Sequence, residues 1–164
     1  MKIWGEVEEE VNFTWEEISQ LPQTDLEIDI HCVTRWSKID TRWKGVSLQT
    51  LIDEGYLKLR PEAAFVLQHA QGGYSTNLPL ELALQKNFLL ATHFEGQPLT
   101  PDHGAPLRGM VGNIPGSGIK TPYFWKGAKW LIGLEFLSED QLGFWEKAGY
   151  HNEGDIWDEQ RTAT

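Results

Sequence analysis

The sequence predicts an α+β fold in which mixed short-stranded sheets pack with small helices. Three observations carry this prediction: short runs of alternating apolar and polar residues, brief helical segments with capping residues, and an interleaved order of the two. The chain has 164 residues, of which 40% are hydrophobic and 12% aromatic, enough apolar material for one core. We therefore expect a single domain over residues 1–164.

Six strands are predicted from short runs of alternating or mostly apolar residues. They cover residues 3–7, 28–32, 63–68, 89–94, 107–111 and 130–136. In the last run Trp130, Ile132, Leu134 and Phe136 occupy every second position, which is the pattern of one face of a strand.

Three short helices are predicted from their first residues. Thr14 begins a capping box, in which a Thr hydroxyl and a later Glu satisfy free backbone amides. Ser47 caps a second helix. A third is predicted over residues 78–84, with Asn77 as its cap and Pro79 in its first turn.

Two segments show little regular periodicity. Residues 97–125 are rich in Gly and Pro and are predicted to be mostly loop, and loops of this length are commonly functional. Residues 141–164 form a tail that is expected to wrap over the domain. Four aromatic residues are expected to hold the tail in place: Phe144, Trp145, Tyr150 and Trp157.

The formal charge of -10 is distributed unevenly. Residues 1–29 and 137–164 are strongly acidic, whereas residues 30–136 contain eleven bases and eight acids. A chain this acidic is not expected to bind nucleic acid or an anionic membrane over its whole surface. The basic middle has two interpretations: solvated surface charge, or a site that binds an anion.

Nothing in the sequence indicates targeting or a membrane span. The acidic N-terminus lacks the apolar core of a signal peptide. No apolar run approaches the roughly 20 residues that a spanning helix needs. We therefore expect a cytoplasmic protein.

Cys32 is the single cysteine, which excludes an internal disulfide and a cysteine-rich zinc site. It ends a predicted strand, and Arg35 follows in the next turn. One interpretation is a buried structural cysteine. The alternatives are a soft ligand for one metal centre or a nucleophile.

Several central residues suit an anionic ligand. Arg108 follows His103 and Gly104 at the start of a predicted strand, and its planar guanidinium matches a phosphate. Lys126 and Lys129 add charge beside aromatic residues. Each feature alone also fits an ordinary turn or surface charge.

In their order along the chain, these segments resemble the molybdopterin-binding domain of the sulfite oxidase family. The resemblance covers nearly the whole sequence. It rests on the Cys32 segment and on residues 43–48, 71–77, 103–108 and 125–131, with further similarity at 143–146, 149–151 and 157.

The resemblance implies the sulfite oxidase molybdopterin-binding fold and a molybdenum–molybdopterin (Mo-pyranopterin) cofactor. Cys32 occupies the position of the metal ligand, and Arg35 is the nearby cation for a substrate. The implied cofactor contacts are Ser75, Thr76, His103, Arg108, Phe124, Trp125, Lys126 and Lys129.

The resemblance further implies a molybdenum cofactor-dependent oxidoreductase. It would catalyse two-electron oxo transfer on a small oxyanion or a sulfoxide-type substrate, with an unidentified electron donor or acceptor protein. Arg35 is the only arginine in the turn after Cys32, whereas typical sulfite oxidases have an arginine-rich turn there. Two alternatives stay open: a non-catalytic molybdopterin-binding or interaction module, and a hydrolase that uses Cys32 with a distant histidine.

Overall fold

The computed structural model describes residues 1–163, which form two five-stranded sheets joined by short helices and loops. The strands are β1 (Lys2–Gly5), β2 (Val11–Asn12), β3 (Thr24–His31), β4 (Ser37–Val46), β5 (Phe65–Ala70), β6 (Ser75–Pro79), β7 (Phe88–Phe94), β8 (Gln97–Pro98), β9 (Arg108–Val111) and β10 (Leu131–Leu137). The helices are α1 (Trp15–Gln20), α2 (Leu48–Asp53), α3 (Leu80–Ala83) and α4 (Phe144–Lys147), with 3-10 turns at Pro101–His103 and Phe124–Lys126. This mixture confirms the predicted α+β class.

The two sheets differ in strand direction, because within residues 1–163 only the first contains a parallel pair. The first has the order β2-β1-β10-β5-β6, and β1 runs parallel to β10. The second has the order β3-β4-β7-β8, with β9 also paired to β7, and its named pairs are antiparallel. Arg108 enters the second sheet opposite Ala91.

The apolar core lies on both faces of the second sheet. Successive residues of β7 point to opposite faces, so Phe88 and Leu90 join one buried cluster while Leu89 and Ala91 join the other. The first cluster also receives Ile3, Leu134 and other residues of the first sheet. Strand β9, which pairs with β7, is buried along its whole length.

The predicted helix starts at Thr14 and Ser47 are confirmed. The Thr14 hydroxyl accepts a hydrogen bond from the Glu17 amide at 3.2 Å, and Ser47 accepts from the Thr50 amide at 3.1 Å. Each helix is six residues long. No helix within residues 1–163 is long and apolar enough to cross a membrane.

The helix predicted over residues 78–84 begins later than expected. Strand β6 continues to Pro79, and α3 starts at Leu80 without a side-chain cap. The predicted cap, Asn77, is instead a buried strand residue whose side chain bonds to Lys126. Asn77 does not cap the helix because its side chain accepts a hydrogen bond from Lys126, 49 residues away in the chain.

The alternation predicted for residues 130–136 holds only in its second half. Leu134 and Phe136 are fully buried, whereas Trp130 and Ile132 are exposed. The register of β10 against β5 shifts between Leu131 and Gly133, and this bulge moves the earlier side chains to the other face.

Residues 143–163, here called the C-terminal strap, return across the domain as predicted. The strap pairs with the main body through the bridge Pro122–Asp155. Trp145 and Tyr150 are stacked with ring centroids 4.9 Å apart, and the indole N–H of Trp157 donates to the Ile119 carbonyl. The segment 97–125, predicted to be mostly loop, also contains β8, β9 and short 3-10 turns.

Candidate cofactor site

The hairpin between β3 and β4 presents Cys32 on a tight loop. The Cys32 amide donates to the Trp36 carbonyl at 2.9 Å, and the Arg35 amide donates to the Cys32 carbonyl at 3.1 Å. Arg35 has a φ of 73°, a left-handed conformation that is uncommon outside glycine. The loop therefore holds the thiol and the Arg35 side chain within one turn of each other.

The Cys32 thiol has a hydroxyl neighbour and is half-buried. Its Sγ atom lies 3.1 Å from Thr34 Oγ1. The adjacent His31 ring is occupied elsewhere, since its Nδ1 atom lies 2.7 Å from Ser37 Oγ. Within residues 1–163 no histidine bonds to the thiol, so the geometry does not support a cysteine-dependent hydrolase.

An open cavity of about 290 Å³ lies over the thiol and is called here the thiol cavity. Arg35 and Arg161 bring positive charge to it, and Asp29 and Glu159 bring negative charge. Its rim is aromatic. The twelve lining residues are Asp29, His31, Cys32, Arg35, Trp36, Ser37, Asn113, Tyr123, Ile156, Trp157, Glu159 and Arg161.

Arg161 of the C-terminal strap reaches the loop that carries Cys32. Its Nε atom donates to the Val33 carbonyl at 3.2 Å, and its guanidinium also bonds to Glu159 at 3.2 Å. The guanidinium carbon lies 5.0 Å from the Tyr123 ring centroid. Sequence reasoning missed Arg161, because nothing in the tail indicates a contact 128 residues away.

A second cavity of about 290 Å³, called here the arginine cavity, lies beside β9. Four predicted cofactor contacts line it together. The eight lining residues are Tyr74, Arg108, Phe124, Trp125, Gly127, Lys129, Trp130 and Trp145.

Arg108 is a buried cation without a carboxylate partner. It is 2% exposed, and its guanidinium donates to the carbonyls of Gly109, His103 and Gly127 at 3.1–3.3 Å. Among residues 1–163 no acidic side chain forms an ion pair with it. Burial lowers the pKa of Arg108 to about 9. A buried charge of this kind favours an anionic ligand.

One aromatic ring from each cavity packs against the other. Phe124 lines the arginine cavity and Trp36 lines the thiol cavity, and their ring centroids are 5.9 Å apart. The Arg108 guanidinium carbon lies 4.9 Å from the Phe124 ring centroid. The thiol cavity and the arginine cavity are therefore neighbours, with one aromatic residue of each in contact.

Four predicted contacts line neither cavity. Lys126 and Thr76 are buried and bond to Glu146, while Ser75 lies in β6. His103 is exposed, and it contacts Arg108 through its carbonyl oxygen. Their roles as direct cofactor contacts stay predictions.

Comparison with known proteins places the chain in a protein family. The model of the oxidoreductase molybdopterin-binding domain family matches residues 1–145. The chain belongs to this family. The uncharacterized oxidoreductase YuiH of Bacillus subtilis is 41% identical over 98% of this chain and 76% of its own length.

More distant relatives of this molybdopterin-binding family member are longer. A protein-methionine-sulfoxide reductase catalytic subunit of Campylobacter jejuni is 27% identical over 88% of the chain, and mitochondrial sulfite oxidase of Rattus norvegicus is 31% identical over 66%. The chain spans 50% and 20% of their respective lengths. The sulfane dehydrogenase SoxCD of Paracoccus pantotrophus shares the fold, with a TM-score of 0.73 and 18% identity, over 92% of this chain and 41% of its own.

The family assignment confirms a molybdopterin-dependent oxidoreductase and its molybdenum–molybdopterin cofactor. The residues present fit that group. Arg108 offers a buried positive charge for an anion, and the half-buried Cys32 offers sulfur to a metal. Within residues 1–163, Asn113 Oδ1 is buried beside the thiol cavity without a hydrogen-bond partner, which suits a ligand that carries N–H or O–H donors.

The predicted cofactor contacts would have distinct tasks. Cys32 would bind the metal, and Arg108 with Lys129 would hold an anionic phosphate. Phe124 and Trp125 would form the walls of the arginine cavity. When bound, the cofactor supplies two-electron oxo-transfer chemistry. These individual roles stay predictions.

Beneath the arginine cavity, Lys126 is buried in a polar cluster. Its ammonium donates to the carbonyl and side-chain oxygens of Asn77 at 3.0 and 2.9 Å, and it lies 3.7 Å from Glu146. Burial lowers the pKa of Lys126 to about 8, although the carboxylates of Glu146 and Asp140 act in the opposite direction.

The free energy of unfolding is therefore expected to contain a Lys126 contribution that grows from about pH 8 towards the ordinary pKa of 10.5. In that window the unfolded chain holds the lysine proton and the folded chain has lost it, so stability rises with pH. Relative to Lys126→Met, the cofactor-free wild type should gain roughly 2 kcal/mol between pH 7 and pH 10.

Urea unfolding at the two pH values measures this difference. Lys147→Met serves as the matched control, because Lys147 is exposed on α4. If the free energy of unfolding of wild type relative to Lys126→Met fell or stayed constant between pH 7 and pH 10, the lowered pKa of Lys126 would be contradicted.

Proposed function

We propose that the protein catalyses two-electron oxo transfer at a molybdenum centre held by Cys32, and that its substrate is a sulfoxide rather than a small oxyanion. The observation that carries this proposal is the openness of the thiol cavity. Trp36 and Trp157 at its rim are 46% and 54% exposed. An open aromatic rim suits an organic sulfoxide with bulky substituents better than a small dianion.

The charges around the thiol cavity support the same choice. Arg35 and Arg161 are balanced by Asp29 and Glu159, and Glu159 bonds directly to Arg161. A dianion such as sulfite would be bound more favourably where cations are in excess. A neutral sulfoxide oxygen needs only a donor, which either guanidinium offers.

The name of the Campylobacter jejuni relative, a protein-methionine-sulfoxide reductase catalytic subunit, also supports a sulfoxide. The proposed half-reaction balances as sulfoxide plus two electrons and two protons giving sulfide and water. The electrons come from a reductant, supplied in the assay by a reduced viologen dye and in the cell by a partner protein.

The test uses protein made in a host that synthesises the cofactor. Molybdenum is measured per chain, followed by viologen-driven reduction of methionine sulfoxide, free and within a peptide, and by dye-linked oxidation of sulfite. We expect about one molybdenum per chain and turnover of the sulfoxides. Faster sulfite oxidation would overturn the substrate assignment, and molybdenum binding without any turnover would favour the non-catalytic module.

Trp157→Ala is expected to raise KM for a peptide-borne methionine sulfoxide about 10-fold, because an exposed aromatic ring at the rim would be lost. For a small sulfoxide that does not reach the rim, KM should change little. Trp157→Phe keeps a ring and should stay close to wild type. Trp15→Ala, which removes an exposed tryptophan on α1, is the control. Equal KM changes for both substrates would contradict the rim contact.

The cytoplasmic location and an electron donor or acceptor protein are likewise part of the proposal. The electron donor or acceptor protein is needed because the half-reaction takes up two electrons.

A further inference from the structure

A single carboxylate, that of Glu146, joins three parts of the molecule behind the arginine cavity. Glu146 is 5% exposed. Its Oε1 atom accepts from the Gly143 amide at 2.9 Å, and its Oε2 atom accepts from the Trp125 indole N–H at 2.7 Å. The Thr76 hydroxyl and the Lys126 ammonium approach the same group at 3.4 and 3.7 Å.

The 3-10 turn Phe124–Lys126 is the element that this carboxylate holds. Phe124 and Trp125 line the arginine cavity, whereas Lys126 is directed to the buried cluster. The Trp125 carbonyl is held separately by the Tyr74 hydroxyl at 2.9 Å. The cavity wall is therefore fixed from behind, and Glu146 provides the charged contact.

The strap is pressed closely against β6 at the point where Glu146 begins its contacts. A Cβ atom at Gly143 would clash with the Ser75 carbonyl oxygen and with the Glu146 carboxylate. The Gly143 amide can reach Glu146 because no side chain intervenes. The carboxylate thus has little freedom to move, and neither does the indole that it holds.

We propose that Glu146 is a positioning residue of the cofactor site, which holds the Trp125 indole and so fixes the wall of the arginine cavity. The inference rests on the proposed cofactor site. Through Glu146, the C-terminal strap would slow the release of the cofactor. Glu146 lies just beyond residues 1–145, the part of the chain that the family model matches.

Glu146→Gln changes the hydrogen bonding while nearly conserving volume. An amide has one acceptor oxygen, so it can satisfy either the Gly143 amide or the Trp125 indole, and its NH2 group then faces the other donor. We expect the cofactor to leave this variant about 10-fold faster than it leaves wild type, because the Trp125 indole loses its charged acceptor and keeps at most a neutral one.

Trp125→Phe removes the indole donor and leaves Glu146 with its remaining partners. It is expected to accelerate release in the same direction. The double variant should release the cofactor no faster than the faster single variant, because both changes remove the same contact.

The experiment follows cofactor release from molybdenum-loaded protein by pterin fluorescence and by molybdenum retained after gel filtration. The melting temperature of the cofactor-free form is measured beside it. Glu135→Gln is the matched control, since Glu135 also bonds to another side chain, His69 at 3.0 Å, but lines neither cavity. It should release the cofactor at the wild-type rate.

Faster release from Glu146→Gln and Trp125→Phe, with wild-type release from the control, supports the inference. Wild-type release from a folded Glu146→Gln, or multiplicative effects in the double variant, would overturn it. Should Glu146→Gln fail to fold, wild-type release from Trp125→Phe would overturn the inference, because the bond between the indole and Glu146 would then have no effect on cofactor release. Wild-type protein that binds no molybdenum would instead overturn the proposed function.

Discussion

Cys32→Ser is expected to lower kcat for oxo transfer by at least about 100-fold while the fold is retained. A serine hydroxyl keeps its proton at neutral pH and is a weak, neutral donor, whereas a cysteine can supply an anionic thiolate to the metal centre. The substitution is small, and the side chain is half-buried on a loop. A serine hydroxyl can also keep the contact that Sγ makes with Thr34.

The single cysteine makes this prediction easy to measure. Titration with a thiol reagent reports Cys32 alone, since the sequence contains no other cysteine. We expect cofactor-free protein to react and loaded protein to be protected. Circular dichroism and melting temperature test the fold of the variant. Full turnover by Cys32→Ser, or equal thiol reactivity with and without cofactor, would show that the metal is not bound by this residue.

The fold could be predicted from the sequence where local signals and tertiary contacts agree. Thr14 and Ser47 cap helices as expected because their hydroxyls find the nearby amides. The prediction failed at Asn77, a good helix cap by composition, because a buried lysine uses its side chain instead. It failed again at Trp130 and Ile132, where a bulge that no periodicity encodes reverses the faces.

The site was predictable where function needs an unusual residue type. Cys32 is conspicuous as the only thiol of the sequence. Arg108 alone also fitted a turn with a surface charge, and it was identified as a candidate only together with the other segments of the resemblance. Asn113 lies in segment 97–125, whose length and content of Gly and Pro predicted a functional loop. Glu146 lies in segment 143–146, which carried part of the resemblance, but its contact with Trp125 could not be predicted from the sequence. Arg161 gave no signal, because its partner Val33 lies far away in the chain.

The charge pattern along the chain explains the site only in part. Of the basic middle segment, Arg108 and Lys129 do line the arginine cavity, but Lys126 is neutralised internally by Glu146. Arg161, which reaches the thiol cavity, comes from the acidic tail. Charge segregation in the sequence was therefore compatible with an anion site in the basic middle, whereas the fold determines which cations line the two cavities.

Arg108→Met is expected to weaken cofactor binding roughly 100-fold while leaving the stability of the cofactor-free protein within about 1 kcal/mol of wild type. The two effects have separate causes. A buried guanidinium without a carboxylate partner costs desolvation energy in the empty protein, and its three hydrogen bonds to carbonyls offset part of that cost. Methionine removes the desolvation cost and the three hydrogen bonds together, so their effects on stability largely cancel. Its uncharged side chain cannot attract a phosphate.

Molybdenum occupancy and urea unfolding of the cofactor-free form separate these effects. Arg60→Met is the control, because Arg60 is exposed and lines neither cavity. Low occupancy with preserved stability would assign Arg108 to the anion, since a structural arginine would lose both. Unchanged occupancy would remove Arg108 from the site. A large loss of stability in the cofactor-free form would show instead that the three carbonyl contacts, rather than a missing anion, account for its burial.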